Sequence, residues 1–238
     1  MALHLEICAN SLRSAVAAER GGAHRIELCQ SLELGGLTPS LGLIRRVLAA
    51  VRIPVFVLLR PRAGDFVYDD DELDVMDSDL QACRDLGCAG VVLGVLDRQG
   101  RVNIKQCERL VRSAHPMAVT FHRAFDDCAD PDQALEDIIA AGFSRILTSA
   151  GQESVEFGCD RIAAWIRQAS GRIVVMPGAG ITPANILKIA KASGAMEFHA
   201  SAKKKVEDIQ SSSRFTTSRF ETDTAIVLSL AAALNSDL

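Results

Sequence analysis

Short apolar runs rich in β-branched residues recur eight times along the 238-residue chain, and each is followed by a stretch of helical periodicity. The runs cover residues 3–8, 25–29, 55–59, 90–93, 118–122, 145–148, 173–176 and 197–199. From Glu6 to His199 the step averages roughly 28 residues, the size of one strand-plus-helix unit. The helical stretches carry their own punctuation. One runs into the pair Gly21 and Gly22, one opens on Pro131 and stops at Gly142, and one follows Thr182 and stops at Gly194. No linker rich in proline, glycine or serine divides the series. Eight alternations in one uninterrupted unit predict a single-domain (β/α)₈ TIM barrel over residues 1–238, in preference to an open doubly wound sheet, which uses fewer strands. The C-terminal segment 203–238 is less sharply patterned: polar 207–219 precedes an apolar stretch that reads as a last helix, capped by Thr222 or Asp223 and completing the outer ring.

Charged residues interrupt the strands in phase. Side chains alternate faces along a strand, so His4, Glu6 and Cys8 share one face of the first run, and Arg25, Glu27 and Cys29 one face of the second. The outer face of a barrel meets helices and must be apolar, which sends these sets inward. An interior carboxylate is costly unless paired. Partners are at hand: Arg60 and Arg62 end the third run, Thr120 and His122 the fifth, and Glu197, His199 and Ser201 are in phase in the eighth. Glu6, Glu27, Arg60, Arg62, His122 and His199 are therefore expected to converge from five strands on the mouth where barrel enzymes bind ligands. Taken singly, a strand-end arginine makes a surface salt bridge and a lone histidine is a hydrogen-bonded core residue. Stability does not explain the set, because a buried ionic cluster stabilises little more than an apolar filling would.

Within this set Glu27 and His122 are candidate general bases and His199 a candidate acid; Glu6, Arg25, Arg60, Arg62, Thr148 and Ser201 are candidate ligand-binding residues. The stretch VVMPGAGIT adds Gly178 and Gly180, which either expose backbone N–H groups to a phosphate at a helix start or make a tight turn. With two arginines nearby, a small anionic ligand, phosphate or carboxylate, is favoured. Isomerisation, aldol cleavage and hydrolysis all fit these residues, so any reaction stays unassigned.

Other classes are excluded. A net charge of −4 and a pI near 5.8 give no broad attraction for nucleic acid or an anionic membrane. The one basic run, Lys203–Lys205, reads as a solvated loop or helix end. No stretch approaches a bilayer span and the N-terminus does not resemble a secretory signal, so a cytoplasmic location is expected. Seven cysteines without a CxxC spacing read as free thiols, with Cys83, Cys88, Cys107, Cys128 and Cys159 as small apolar groups. The acidic run 69–74 reads as a helix start, and Asp126 either caps the fifth helix or faces the site.

The blocks RIELC and GGLTPS, then RPRAGDFVY, TFHRAFD, RILTSA, MPGAGIT and EFHAS, follow one another between about residues 5 and 202. In this order they resemble the CutC family of copper homeostasis proteins. The resemblance implies a (β/α)₈ barrel, a cytoplasmic homo-oligomer (dimer or tetramer) and copper handling, with Cys8 and Cys29 at positions proposed to bind Cu(I). Leu34, Ala150 and Ala179 depart from the family pattern, the first removing an acid, the other two replacing glycines. Thiolates suit Cu(I), but barrel layering draws on alternate strands and is expected to separate the two sulfurs. Two readings follow: a Cu(I)-binding protein, which the resemblance specifically implies, and a TIM-barrel enzyme acting on a small anionic substrate.

Overall fold

The computed structural model describes residues 3–206 and 219–235. All eight apolar runs form strands: β1 (His4–Ala9), β2 (Arg25–Leu28), β3 (Val55–Leu58), β4 (Gly90–Leu93), β5 (Ala118–Phe121), β6 (Arg145–Thr148), β7 (Val174–Pro177) and β8 (Glu197–Ala200). They are parallel and ordered β7-β6-β5-β4-β3-β2-β1-β8. The two ends of this series meet at a single parallel bridge, Gly178 with His199, which closes a TIM barrel. Gly178 fits that seam closely: a Cβ there would lie 2.6 Å from Leu147 Cδ1 and 3.3 Å from His199 Cβ, so a larger residue requires both neighbours to shift.

Helices α1 (Leu12–Arg20), α2 (Leu41–Leu48), α3 (Asp70–Asp85), α4 (Ile104–Ala114), α5 (Pro131–Ala140), α6 (Cys159–Ala169) and α7 (Ile186–Ser193) follow the first seven strands. Their starts obey local chemistry. Ser11 and Ser40 accept the N–H of Ser14 and Leu43, and Asp69 and Glu72 form a reciprocal capping box, so the acidic run is a helix start. The stretch after Thr182 winds up later than its pattern suggests, because the Thr182 N–H donates to Asn185 Oδ1 and holds a turn before Ile186.

Lys203–Lys205 departs from expectation. Lys203–Val206 is a strand, β9, paired antiparallel with β10 (Arg219–Thr222). A lysine run has no alternation to betray a strand, and its partner lies far along the chain. The polar segment between them, residues 207–218, falls outside the described residues. The last helix, α8 (Thr224–Asn235), follows, and Asp223 caps it by accepting the N–H groups of Ala225 and Ile226 at 2.8 and 3.3 Å. No helix among the described residues is long and apolar enough to cross a membrane.

Apolar residues such as Leu5, Ile7, Leu28, Leu59, Leu93 and Phe198 fill the layer between strands and helices. A smaller inner cluster holds Cys8, Cys29, Phe56, Leu58 and Val92. Below it an ionic network closes the N-terminal end of the barrel. Arg25 pairs with Glu6 and, at 2.7 Å, with Glu197; Arg145 pairs with the same Glu197 oxygen at 2.8 Å. Both guanidinium groups lie over the Phe56 ring, at 4.9 and 5.4 Å. Arg25, expected to bind ligand, is thus committed to this plug. All seven cysteines are free and buried.

Candidate functional site

At the C-terminal mouth the strands open into a cavity of about 740 Å³. Cys8, Glu27, Cys29 and His199 line it, joined by Arg60, Phe66, His122, Arg123, Gly180, Ser201 and Lys203 and, from α8, Ile226. Parallel pairing sets Cys8 opposite Glu27 and leaves Cys29 one inward position further on, just past the end of β2. The two sulfurs nevertheless approach to 3.5 Å. This corrects the expected separation: the heights do differ, but side chains on adjacent strands lean along the strand direction and close the gap.

His199 sits between two carboxylates, with Nδ1 2.7 Å from Glu6 Oε1 and Nε2 3.4 Å from Glu27 Oε2. One ligand atom each from Cys8, Glu27 and His199 lie within 4.8 Å of one another. The electrostatics follow from who is paired. Burial alone would raise the Glu6 carboxyl, but the hydrogen bond with His199 and the Arg25 charge outweigh it and hold it at about 2. Burial raises Glu27 to about 7, with the His199 charge opposing. Burial disfavours a charged His199, yet the two carboxylates and the Cys8 thiol beside it push its pKa well above the ordinary value. The Cys8 thiol is pushed up by its contact with Cys29 and by burial. An imidazolium therefore lies among two carboxylates and a thiol pair, with Glu27 poised to gain or release a proton near neutrality.

His122 is 5% exposed and lines the cavity. Its Nδ1 accepts the Ala124 N–H at 3.2 Å, and its ring packs 4.7 Å from that of Phe66. Burial, aided by the Arg60 charge, lowers its pKa to about 3, so it is neutral. Arg60 also faces the cavity, but Nη1 donates to the carbonyls of Leu34 and Gly36 and Nη2 to that of Gly64. It ties the loops after β2 and β3 together.

Five expected site residues lie elsewhere, and Glu6 is the first: it does not line the cavity but pairs with Arg25 in the plug and backs the His199 ring. Arg62 turns away to Glu72 and Asp65, because the two-residue phase is lost once β3 ends at Leu58 and the chain bends through Gly64, at φ +96°. Thr148 closes the end of β6, its hydroxyl donating to Asp126. Asp126 also accepts from the backbone of Ser149 and Gly151, so it organises that loop; Asp130 caps α5. Gly178 belongs to the seam, and Arg25 to the plug. In the other direction, Phe66, Arg123, Lys203 and the α8 residues carry no inward phase in the sequence. Arg123 stands beside His122 in TFHRAFD, the one signal that would have found it.

The comparisons agree with this architecture. The CutC family model matches residues 3–204. A CutC family protein of Xylella fastidiosa strain Temecula1 is 51% identical over 199 residues, covering 84% of this chain and 74% of that protein. The human copper homeostasis protein cutC homolog is 49% identical over 199 residues, covering 84% and 73%. The solved CutC structure from Streptococcus agalactiae, 31% identical, superposes with a TM-score of 0.78 over 84% of this chain and 98% of that one. The family match takes in all eight barrel strands and the cysteine, glutamate and histidine cluster they position: the chain belongs to the CutC family.

Proposed function

We propose that this protein serves copper homeostasis by binding Cu(I) through Cys8 and Cys29, with the His199 imidazole as a third donor. The observation that carries this reading is the 3.5 Å approach of the two sulfurs inside the cavity. Two thiolates and an imidazole are the soft donor set that Cu(I) prefers over the hard ligands of magnesium or calcium. The ligands must lose their protons to bind, and Glu27, titrating near neutrality at hydrogen-bonding range of His199, offers an acceptor for one of them. Glu6 holds the far side of the ring and fixes its orientation, as a second carboxylate does behind many metal-bound histidines. Seven free thiols and the family resemblance support a reducing, cytoplasmic setting, and the resemblance supports a homo-oligomer, dimer or tetramer.

The test is competition for Cu(I) against a chromogenic chelator. The parent is expected to hold about one ion per chain, and the C8S/C29S double variant to lose more than about 100-fold in affinity, since removing even a supporting hydrogen-bond partner costs 10–100-fold. Asp69→Ala, at the start of α3 away from the cavity, serves as the control that retains binding. Equal competition by the double variant and the parent overturns the assignment.

A further inference from the structure

The cavity is far larger than a metal ion needs. At about 740 Å³ it falls within the range that holds a small organic molecule. Its wall also carries an unmet demand. Among the described residues, no acceptor meets Arg60 Nε or His122 Nε2, both buried N–H groups on cavity-lining residues, in hydrogen-bonding geometry, although the Tyr68 hydroxyl lies close to the Arg60 guanidinium. Because the Ala124 N–H donates to Nδ1, the neutral ring carries its proton on Nε2, which makes that atom a donor. An unsatisfied buried donor costs about 1–3 kcal/mol, which a fold tolerates where something else completes it.

The two donors belong together. The Phe66 ring lies against both groups, 5.0 Å from the Arg60 guanidinium carbon and 4.7 Å from the His122 ring. Arg60 uses its other N–H groups on backbone carbonyls, so it is fixed in direction while its charge meets no acid. Arg123 and Lys203 also line the cavity, against Glu27 as the single lining carboxylate among the described residues. Leu58, Phe66, Leu147, Ile181 and Ile226 supply an apolar remainder.

We propose that this wall is a binding site for a small organic acid, its carboxylate accepting from Arg60 Nε and His122 Nε2 and its apolar body lying along the hydrophobic side of the cavity. Two donors that cannot accept match the two oxygens of a carboxylate, which carries the complementary charge and brings no proton of its own, whereas a hydroxyl offers one neutral oxygen and adds a further donor. Both nitrogens are screened from solvent, and the Phe66 ring, packed against both side chains, is the group whose shift would admit the ligand. The site is independent of copper binding, although the two share one cavity.

The experiment is calorimetric titration of the full chain with benzoate and 4-phenylbutyrate, alongside benzyl alcohol, 4-phenylbutanol and inorganic phosphate. At least one acid is expected to bind about 10-fold or more tightly than its alcohol and than phosphate, the loss of one charge-assisted hydrogen bond being worth at least that factor. His122→Phe, which keeps the ring and removes the donor, is expected to erase the preference. A nitrogen-15 spectrum of the unaltered protein reads the same contact directly, through a shift of the His122 Nε2 resonance on adding the acid. The C8S/C29S variant keeps acid binding whether or not it has lost copper, which separates this inference from the previous one. No binding by either acid at millimolar concentration, equal binding of acid and alcohol, equal binding of phosphate, or an unmoved His122 resonance overturns the proposal.

Discussion

Burial of a neutral histidine makes stability depend on pH in a way that can be worked out for His122 alone. Its pKa is 6.5 when unfolded and about 3 when folded. Below pH 6.5 the unfolded state binds a proton that the folded state refuses, so this group's contribution is complete above that pH and is lost as the pH falls towards 3. At pH 7 both states are neutral. At pH 5 the unfolded imidazole is protonated by a factor of about 30, and RT ln 30 is about 2 kcal/mol of lost stability. Glu27 works in the opposite direction, because its folded pKa of about 7 means the folded state keeps a proton that the unfolded state gives up on the way from pH 4.5 to 7. In the parent protein these two contributions largely offset each other between pH 7 and pH 5. His122→Gln removes one side of the balance. Urea unfolding at pH 7 and pH 5, followed by fluorescence of Trp165, the single tryptophan, is expected to show this variant gaining about 2 kcal/mol on acidification relative to the parent. Parallel pH dependences in variant and parent would refute the claim that His122 is neutral by burial.

Arg25→Met leaves Glu6 and Glu197 each with one cation instead of two and is expected to cost about 3 kcal/mol in urea unfolding, the lower end for a broken buried pair. Gly178→Ala drives a methyl against Leu147 and His199 at the seam; about 1–3 kcal/mol is expected in the same assay, together with weaker Cu(I) competition because His199 is displaced. Asp223→Ala uncaps α8 at a cost of about 1 kcal/mol and leaves Cu(I) affinity unchanged.

The barrel was legible because its signal is repeated: each apolar run needed only to be recognised as one of eight at a common step. The inward phase placed Glu6, Cys8, Glu27, Cys29, His122 and His199 correctly, since all six lie within or directly beside regular strand, where alternation holds. Arg62 escaped it, because alternation says nothing once the backbone bends, and the acids that capture its guanidinium belong to the next helix and its approach. The distance between Cys8 and Cys29 was misjudged for a different reason: register fixes Cα heights, while the sulfurs sit at the ends of side chains whose lean is set by local packing. The lysine strand was invisible because only its pairing with Arg219–Thr222 makes it one. The orphan donors of Arg60 and His122 could not be read at all, since a missing partner is a property of three-dimensional surroundings.

Seven of the eight joints between neighbouring staves are ladders; the eighth is a latch, and it is His199 whose backbone fastens it to Gly178. The same residue's ring stands inside the cylinder beside the thiols. One residue thus serves the wall with its backbone and the interior with its side chain.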